Sequence, residues 1–230
     1  MAALDQLASV AMDPAAQDRI GAVESLAKLK YILAADERPV IEKLAASDDD
    51  GMALFATWLI SRMPGSANPQ DRVASYLTST DPITRLRAIY ILRFLPNLTS
   101  TNRGQLKAAA QAELKDTLTH TYATSSSYIV ARAYGDASEA RRSHDELCRI
   151  AATREPGAEK QEACRALGEQ GSPADLDVIA PLMTSPAPAA RVGAALAAAT
   201  IARRNHASAS RKSSSPEQRG MPDAVCSAFR

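Results

Sequence analysis

Two side chains of metal-binding type lie one helical turn apart in the sequence. His144 and Cys148 occupy positions i and i+4 of the segment SHDELC, so a helix would direct both to one face. A third ligand would have to come from another element, and Cys164 is the candidate in the next helix. A free cysteine is, however, commonly a small buried apolar residue. We therefore predict buried thiols and assign no metal site.

Motifs of the common catalytic and cofactor sites are absent from the sequence, which has no GxGxxG, Walker A, HExxH, GxSxG or CxxC. The acidic run 48–50 precedes a predicted helix, where carboxylates interact favourably with the helix dipole. Ca²⁺ would need more oxygen ligands than one short turn offers. The sequence thus predicts no catalytic residue and no cofactor, and we expect a protein that is not an enzyme.

A helix-capping motif is repeated instead. Asp-Pro followed by Arg, five residues after the Pro, occurs at 13–19 and again at 81–87, and Pro186 with Arg191 keeps the same spacing. Proline suits the first helical position, since the N–H it lacks would be unpaired there, and a preceding Asp caps that end. The motif therefore predicts a helix start that recurs along the chain.

The helices that follow these starts form a longer repeat. Helical apolar patterns begin near residues 13, 48, 81, 155 and 185, and a sixth copy is predicted at 124–136, with Ser127 or a neighbour as its cap. Shorter helices are predicted between them. These lie at 39–46, 72–79, 105–118, 143–152 and 175–185. A two-helix unit with a period of this length is typical of a helical solenoid.

Composition agrees with an all-α class. Hydrophobic residues make up 46% of the 230 residues but aromatic residues only 4%, so Ala, Leu, Ile and Val dominate, and strand patterns are scarce. No apolar run approaches the length of a membrane span, and we expect no membrane association. Three cysteines are too few for a disulfide framework, which favours a reducing, cytoplasmic location.

The repeated pattern resembles HEAT repeats. The resemblance rests on the capping segments described above and on residues 162–171, EACRALGEQG, which are similar to the Ala-Leu-Gly-x-x-Gly form of the phycobilisome-lyase-like HEAT subgroup. It covers about residues 10 to 204. It implies a right-handed α-solenoid of about six antiparallel helix pairs in residues 1–204. Residues 205–230 form a low-complexity basic tail whose composition predicts disorder.

The resemblance also assigns structural roles. In HEAT arrays the turn aspartate and the arginine of the second helix hydrogen-bond along the stack, and such charge-assisted bonds are directional. The residues assigned to this structural ladder are Asp13, Arg19, Asp81, Arg87 and Arg191.

A second group of residues is predicted to bind a partner. Arg85, Tyr90 and Arg93 lie off the apolar row of their helix, and the second helices of HEAT pairs line a concave groove. Arg and Tyr are frequent in protein contact hot spots. The alternative for these three residues is an ordinary solvated helix face.

These observations predict a scaffold or adaptor that binds another protein or peptide on its concave surface. One alternative is a nucleic-acid-binding protein, either a simple binder or one similar to HEAT-like DNA glycosylases. From Arg203 onward the chain has six basic and two acidic side chains, which leaves the body at a net charge of −3. That balance argues against nucleic acid, whose phosphates need a basic groove. A lyase or cofactor-attachment role, implied by the subgroup alone, is the other alternative. The oligomeric state is not predicted.

Overall fold

The computed structural model describes residues 2–112, 117–153 and 157–213, and within these ranges the regular structure is entirely helical. The prediction of an all-α fold is confirmed for this part of the chain. The α-helices are α1 (Ala2–Met12), α2 (Arg19–Lys28), α3 (Arg38–Ala45), α4 (Asp50–Ser61), α5 (Gln70–Ser75), α6 (Pro82–Leu92), α7 (Ser100–Gln111), α8 (Thr117–Tyr134), α9 (Ala137–Thr153), α10 (Ala158–Gln170), α11 (Leu176–Ile179) and α12 (Pro188–Ser213). Short 3-10 helices span Tyr76–Thr78, Pro173–Asp175 and Ala180–Thr184.

The helices pack in pairs that follow one another along the chain. Each odd-numbered helix contacts the even-numbered helix after it, and the even-numbered helices α2, α4, α6, α8, α10 and α12 contact one another in series. The predicted division into two types of helix therefore matches the packing. The even-numbered helices form one continuous layer, and this layer carries the candidate site.

The apolar core consists of two clusters that meet at α8. The first is built mainly from α2, α4 and α6 and includes Trp58 and Ile89, whereas the second, built from α9, α10 and α12, includes Leu167. Full burial of an aliphatic side chain of this size stabilises the fold by about 1.5–3 kcal/mol. Between the clusters, α8 buries a run of hydroxyl side chains at Thr124–Ser127. The seam between the two cores is thus polar.

Two helix starts form as the capping pattern predicts. The Asp81 carboxylate accepts hydrogen bonds from the Thr84 side chain (2.6 Å) and the Thr84 backbone N–H (2.8 Å) at the start of α6, and these bonds hold the pKa of Asp81 below its ordinary value. Asp49 caps α4 in the same way by accepting from the Met52 N–H at 3.0 Å.

Other predicted starts are displaced. The Asp13 carboxylate accepts from the Ala15 N–H at 2.8 Å and closes a tight turn, so α2 begins only at Arg19. Helix α12 begins at Pro188, two residues after the predicted proline. The cap predicted at Ser127 is wrong, because α8 begins at Thr117 and the Ser127 hydroxyl, inside the helix, donates to Glu139 at 2.6 Å.

The last helix continues past the predicted domain boundary at residue 204, since α12 extends to Ser213. Residues 214–230, which include most of the predicted tail and Cys226, lie outside the described residues. Among the described helices, none combines the length and the apolar character that crossing a bilayer requires.

Candidate functional site

A groove of about 470 Å³ runs across the layer of even-numbered helices. Its walls come from α2, α4, α6, α8 and α10, so the serial packing of these helices creates it. Its lining includes the charged and aromatic side chains Glu24, Lys28, Phe55, Arg87, Tyr90, Arg93, Phe94, Tyr122, Glu162, Arg165 and Glu169. We refer to this surface as the central groove.

A buried ion pair forms the floor of the central groove. Arg93 Nη1 lies 2.7 Å from Glu162 Oε1, and only 1% and 4% of the two side chains are exposed. Burial alone would raise the pKa of the Glu162 carboxyl, but the hydrogen bond from Arg165 and the charge of Arg93 more than offset this and hold its pKa below the ordinary value. Glu162 is therefore ionised at neutral pH.

Neighbouring side chains complete the bonding of Glu162. Ser125 donates its hydroxyl to Oε1 at 2.6 Å, and Arg165 forms a bidentate pair with the carboxylate at 2.6 and 2.8 Å. Arg165 also pairs with Glu169. The segment EACRALGEQG, which carries the resemblance to HEAT repeats, thus supplies the charged part of this floor. No motif in the sequence marks Glu162 as a site residue, although its i, i+3 spacing with Arg165 indicates an ion pair.

Aromatic rings form one wall of the central groove. Phe94 stacks on buried Trp58 with a centroid distance of 5.4 Å, and Tyr90 meets Phe94 edge-on at 5.1 Å. The Arg93 guanidinium lies 4.2 Å from the Tyr90 ring centroid, so a cation–π contact supports the buried charge. Burial raises the pKa of Tyr122, the next ring along the groove. The wall therefore combines the apolar ring of Phe94 with the hydroxyl-bearing rings of Tyr90 and Tyr122.

Arg87 differs from the other cations of the groove. Its guanidinium lies beside Gly51, where an added Cβ would stand 1.8 Å from Nη1, and 5.5 Å from the centroid of Phe55. Lys28 pairs with Glu24 at 2.6 Å, whereas Arg87 has no hydrogen-bond or ion-pair partner within the described residues. The half-buried Arg87 thus holds a positive charge in the groove without an internal acceptor.

The three predicted partner-binding residues occupy different surroundings. Tyr90 lines the central groove as expected, and its ring remains partly exposed. Arg93 lies at the floor, but its side chain is buried by its pairing with Glu162. Arg85 is outside the groove and donates to the backbone carbonyls of Ser79 and Thr80 at 2.5 and 3.3 Å. The structure does not bring the three together on one accessible face.

Two arginines of the predicted Asp–Arg ladder, Arg19 and Arg191, bond to main-chain carbonyls instead, whereas Arg87 has no hydrogen-bond partner within the described residues. Arg19 donates to the Ala11 carbonyl at 2.9 Å, and Arg191 donates to the Ser185 carbonyl at 2.8 Å. Asp13 and Asp81 are occupied by the N–H groups of their own turns. The physical reason is that unpaired carbonyls at helix ends lie closer to these guanidinium groups than the aspartates do.

A second buried carboxylate lies on the other side of α8. Glu139, 3% exposed, accepts from Ser127 at 2.6 Å, from Ser143 at 2.8 Å and from Arg142 at 2.6 Å. Burial would raise its pKa, but these hydrogen bonds lower the pKa to about 2. This carboxylate links α8 to α9 and is saturated with donors, so it has a structural role.

His144 and Cys148 share one face of α9, as their spacing predicts, but the third neighbour is Asp175 and not Cys164. His144 Nε2 lies 2.6 Å from Asp175 Oδ1 and 3.7 Å from Cys148 Sγ. Cys164 is fully buried in the second apolar cluster. Burial raises the pKa of both described thiols to about 11, so neither is a reactive thiolate at neutral pH.

No protein-family model matches the sequence, and no curated protein matches it either. Two solved structures are similar in fold. One is an engineered protein, 16% identical with a TM-score of 0.43, covering 88% of this chain and 98% of the other. The second is human deoxyhypusine hydroxylase in complex with glycerol, also 16% identical, with a TM-score of 0.47, covering 88% and 74%. Likenesses of this size concern the helical fold and transfer no activity.

One sequence-based prediction is corrected by this comparison. We expected a protein that is not an enzyme, because helical-repeat arrays commonly act as binding surfaces. Human deoxyhypusine hydroxylase is, by its name, an enzyme, so this expectation is contradicted. The all-helical fold itself is consistent with the predicted resemblance to HEAT repeats.

Proposed function

We propose that this chain is a HEAT-like helical-repeat protein whose central groove binds an acidic segment of a partner protein. The fold proposed is a right-handed solenoid of about six antiparallel helix pairs. The serial contacts of the even-numbered helices support it, because a layer of this kind is what stacked two-helix repeats generate. We also propose a cytoplasmic location, which the free thiols of Cys148 and Cys164 support.

The observation that carries the binding proposal is the guanidinium of Arg87. It is half-buried in a groove whose acids are already neutralised, since Glu24 pairs with Lys28, Glu162 with Arg93 and Arg165, and Glu169 with Arg165. A half-buried cation without an acceptor gains most from a ligand carboxylate, and arginine forms bidentate bonds with that group. The groove therefore favours an aspartate, a glutamate or a terminal carboxylate.

The remainder of the groove supports a peptide as the ligand. Tyr90 and Phe94 offer partly exposed aromatic surface next to the Arg87 charge. Aromatic and arginine side chains together are typical of contact hot spots, where apolar side chains of a partner are buried. A peptide that carries a carboxylate next to an apolar side chain complements both the Arg87 charge and the aromatic surface. A nucleic acid fits less well, because the groove's single unpaired cation offers little to a chain of phosphates.

Selection from a displayed library of random short peptides on the full-length chain tests the proposal. We expect enriched peptides to share an acidic residue beside an apolar or aromatic one. Their affinity, measured by fluorescence anisotropy, should fall about tenfold or more in Arg87→Gln, because hydrogen bonds to charged groups contribute about 1.5–3 kcal/mol.

Arg85→Gln is the matched control, since this arginine lies on the same helix but outside the groove. It should leave the affinity unchanged. The proposal fails if no peptide is enriched, if the enriched peptides lack a carboxylate, or if Arg87→Gln and wild type bind them equally.

A further inference from the structure

Three potential metal ligands converge on a second site, away from the central groove. His144 and Cys148 project from one face of α9, and Asp175 comes from the 3-10 helix that follows α10. The ligand atoms Nε2, Sγ and a carboxylate oxygen all lie within 4.8 Å of one another. The first two positions are adjacent through helical periodicity, whereas the fold brings Asp175 to them across 31 residues.

The spacing of these atoms is close to that of donors around one tetrahedral ion. Ordinary Zn–S and Zn–N bond lengths place sulfur and nitrogen donors roughly 3.5 Å apart. The Cys148 Sγ to His144 Nε2 distance is 3.7 Å. The Nε2 to Asp175 Oδ1 distance, 2.6 Å, must open to about 3.4 Å, which small side-chain rotations supply. An ion would replace the direct hydrogen bond between the two side chains.

The surroundings hold two of the three ligands in orientation. Asp175 is buried, and its Oδ2 accepts from the Ser172 N–H at 2.6 Å, which leaves Oδ1 directed at His144. The other ring nitrogen, His144 Nδ1, lies 3.3 Å from Asp145 Oδ1. Metal-bound histidines commonly donate this second N–H to a carboxylate, which leaves the lone pair of the first nitrogen for the metal.

The site is also accessible from solvent. A cavity of about 360 Å³ is lined by both His144 and Asp175 and is flanked by Arg132 and Arg141. Cys148 is a thiol in the free protein, and metal binding would release its proton to solvent. The resulting thiolate and the Asp175 carboxylate neutralise a divalent ion, so these two arginines oppose its binding only weakly. Because two of the three ligands line this open cavity, a fourth position is left for water or an exogenous ligand.

We propose that His144, Cys148 and Asp175 bind one divalent transition-metal ion. The mixture of imidazole, thiolate and carboxylate donors favours Zn²⁺ over Mg²⁺ or Ca²⁺, which prefer oxygen ligands alone. This proposal revises the sequence-based assignment of no metal, in which Asp175 had no part. It does not depend on the central groove or on a peptide ligand.

Titration of the chelator-treated, full-length chain with Co²⁺ tests the site, since Co²⁺ reports its own ligands by absorption. We expect a thiolate-to-cobalt charge-transfer band and the intense visible bands of tetrahedral Co²⁺, saturating at one ion per chain. Zn²⁺ should abolish both sets of bands. Cys148→Ala should remove the charge-transfer band, whereas the double variant Cys164→Ala/Cys226→Ala should retain it.

Asp175→Asn separates metal binding from folding. Its amide oxygen can still accept from the Ser172 N–H, so the turn should form, as judged by an unchanged circular dichroism spectrum without metal. The affinity for Co²⁺ should nevertheless fall by roughly tenfold or more. The proposal is overturned if no saturable band appears, if the band survives in Cys148→Ala, or if folded Asp175→Asn binds Co²⁺ as wild type does.

Discussion

Arg93 and Glu162 are 69 residues apart in the chain, yet they form a 2.7 Å ion pair from which solvent is almost fully excluded. The pair joins the C-terminal end of α6 to α10, with Ser125 of α8 between them. A buried pair does not guarantee added stability, but the loss of one partner leaves the other charge uncompensated. The floor of the central groove is therefore sensitive to single substitutions.

Glu162→Gln tests this sensitivity. The variant keeps the shape of the side chain but leaves the buried Arg93 guanidinium without its counter-charge, so we expect the free energy of unfolding to fall by about 3–5 kcal/mol. Urea unfolding followed by circular dichroism measures the change. Glu42→Gln is the control, because Glu42 pairs with Arg38 on an exposed helix surface and should contribute at most about 0.5 kcal/mol. Equal effects of the two variants would contradict a special role for the buried pair.

Local and long-range features of this site differ in how far the sequence predicts them. The Asp81 cap and the alternation of two helix types follow from residues within one or two turns of each other, so capping chemistry and periodicity reveal them. The Arg93–Glu162 pair and the contact between Gly51 and Arg87 exist only because separate helices pack together.

The same reason explains the predicted roles that changed. The ladder role of Arg87 follows from its spacing to Asp81 and from the resemblance to HEAT repeats, and neither shows which atoms lie beside its guanidinium. No local pattern connects Asp175 with His144. Arg85 and Arg93 were both placed on an accessible face because each lies off the apolar row. Only the packing of α8 and α10 against α6 shows that Arg93 is buried.

Stability below pH 5 should depend on Glu139. Its pKa is about 2 in the folded protein, against 4.5 as the ordinary value. A carboxyl with a depressed pKa stabilises the fold above the unfolded-state pKa, and the contribution is lost as pH falls from about 4.5 toward 2, because the unfolded chain takes up the proton first. The contribution at neutral pH is on the order of 3 kcal/mol.

Urea midpoints measured at neutral pH, pH 4 and pH 3 test this dependence. Glu139→Gln should be less stable than wild type at neutral pH, and the difference should narrow as the pH falls. The Glu42→Gln variant should follow the wild-type curve throughout. A constant difference between Glu139→Gln and wild type at every pH would show that the carboxylate does not titrate as described.

Gly51 leaves room for the Arg87 side chain. A Cβ at position 51 would overlap the guanidinium, whose far end can swing away, so Gly51→Ala should displace the charge without unfolding the protein. We expect a shift of the Arg87 Nε–Hε signal in the NMR spectrum. A peptide that binds the wild-type protein through a carboxylate should bind Gly51→Ala more weakly. In the control Gly21→Ala no atom lies within 4 Å of the new Cβ, and both properties should stay unchanged.

Gly168 lies where α10 and α12 approach each other closely. A Cβ there would stand 2.7 Å from the Cα of Ala197, and a backbone atom cannot move aside as a flexible side chain can. Alanine is ordinarily preferred over glycine inside a helix by about 0.5–1 kcal/mol. Gly104→Ala in α7 is the control, because the new Cβ there meets no neighbouring element within 4 Å. We expect this variant to gain that amount of stability. Gly168→Ala should instead lower stability, by about 1–3 kcal/mol, because overpacking forces the helices apart. Thermal unfolding of the two variants should therefore shift in opposite directions, and a stabilised Gly168→Ala would mean that α10 and α12 pack less closely than this.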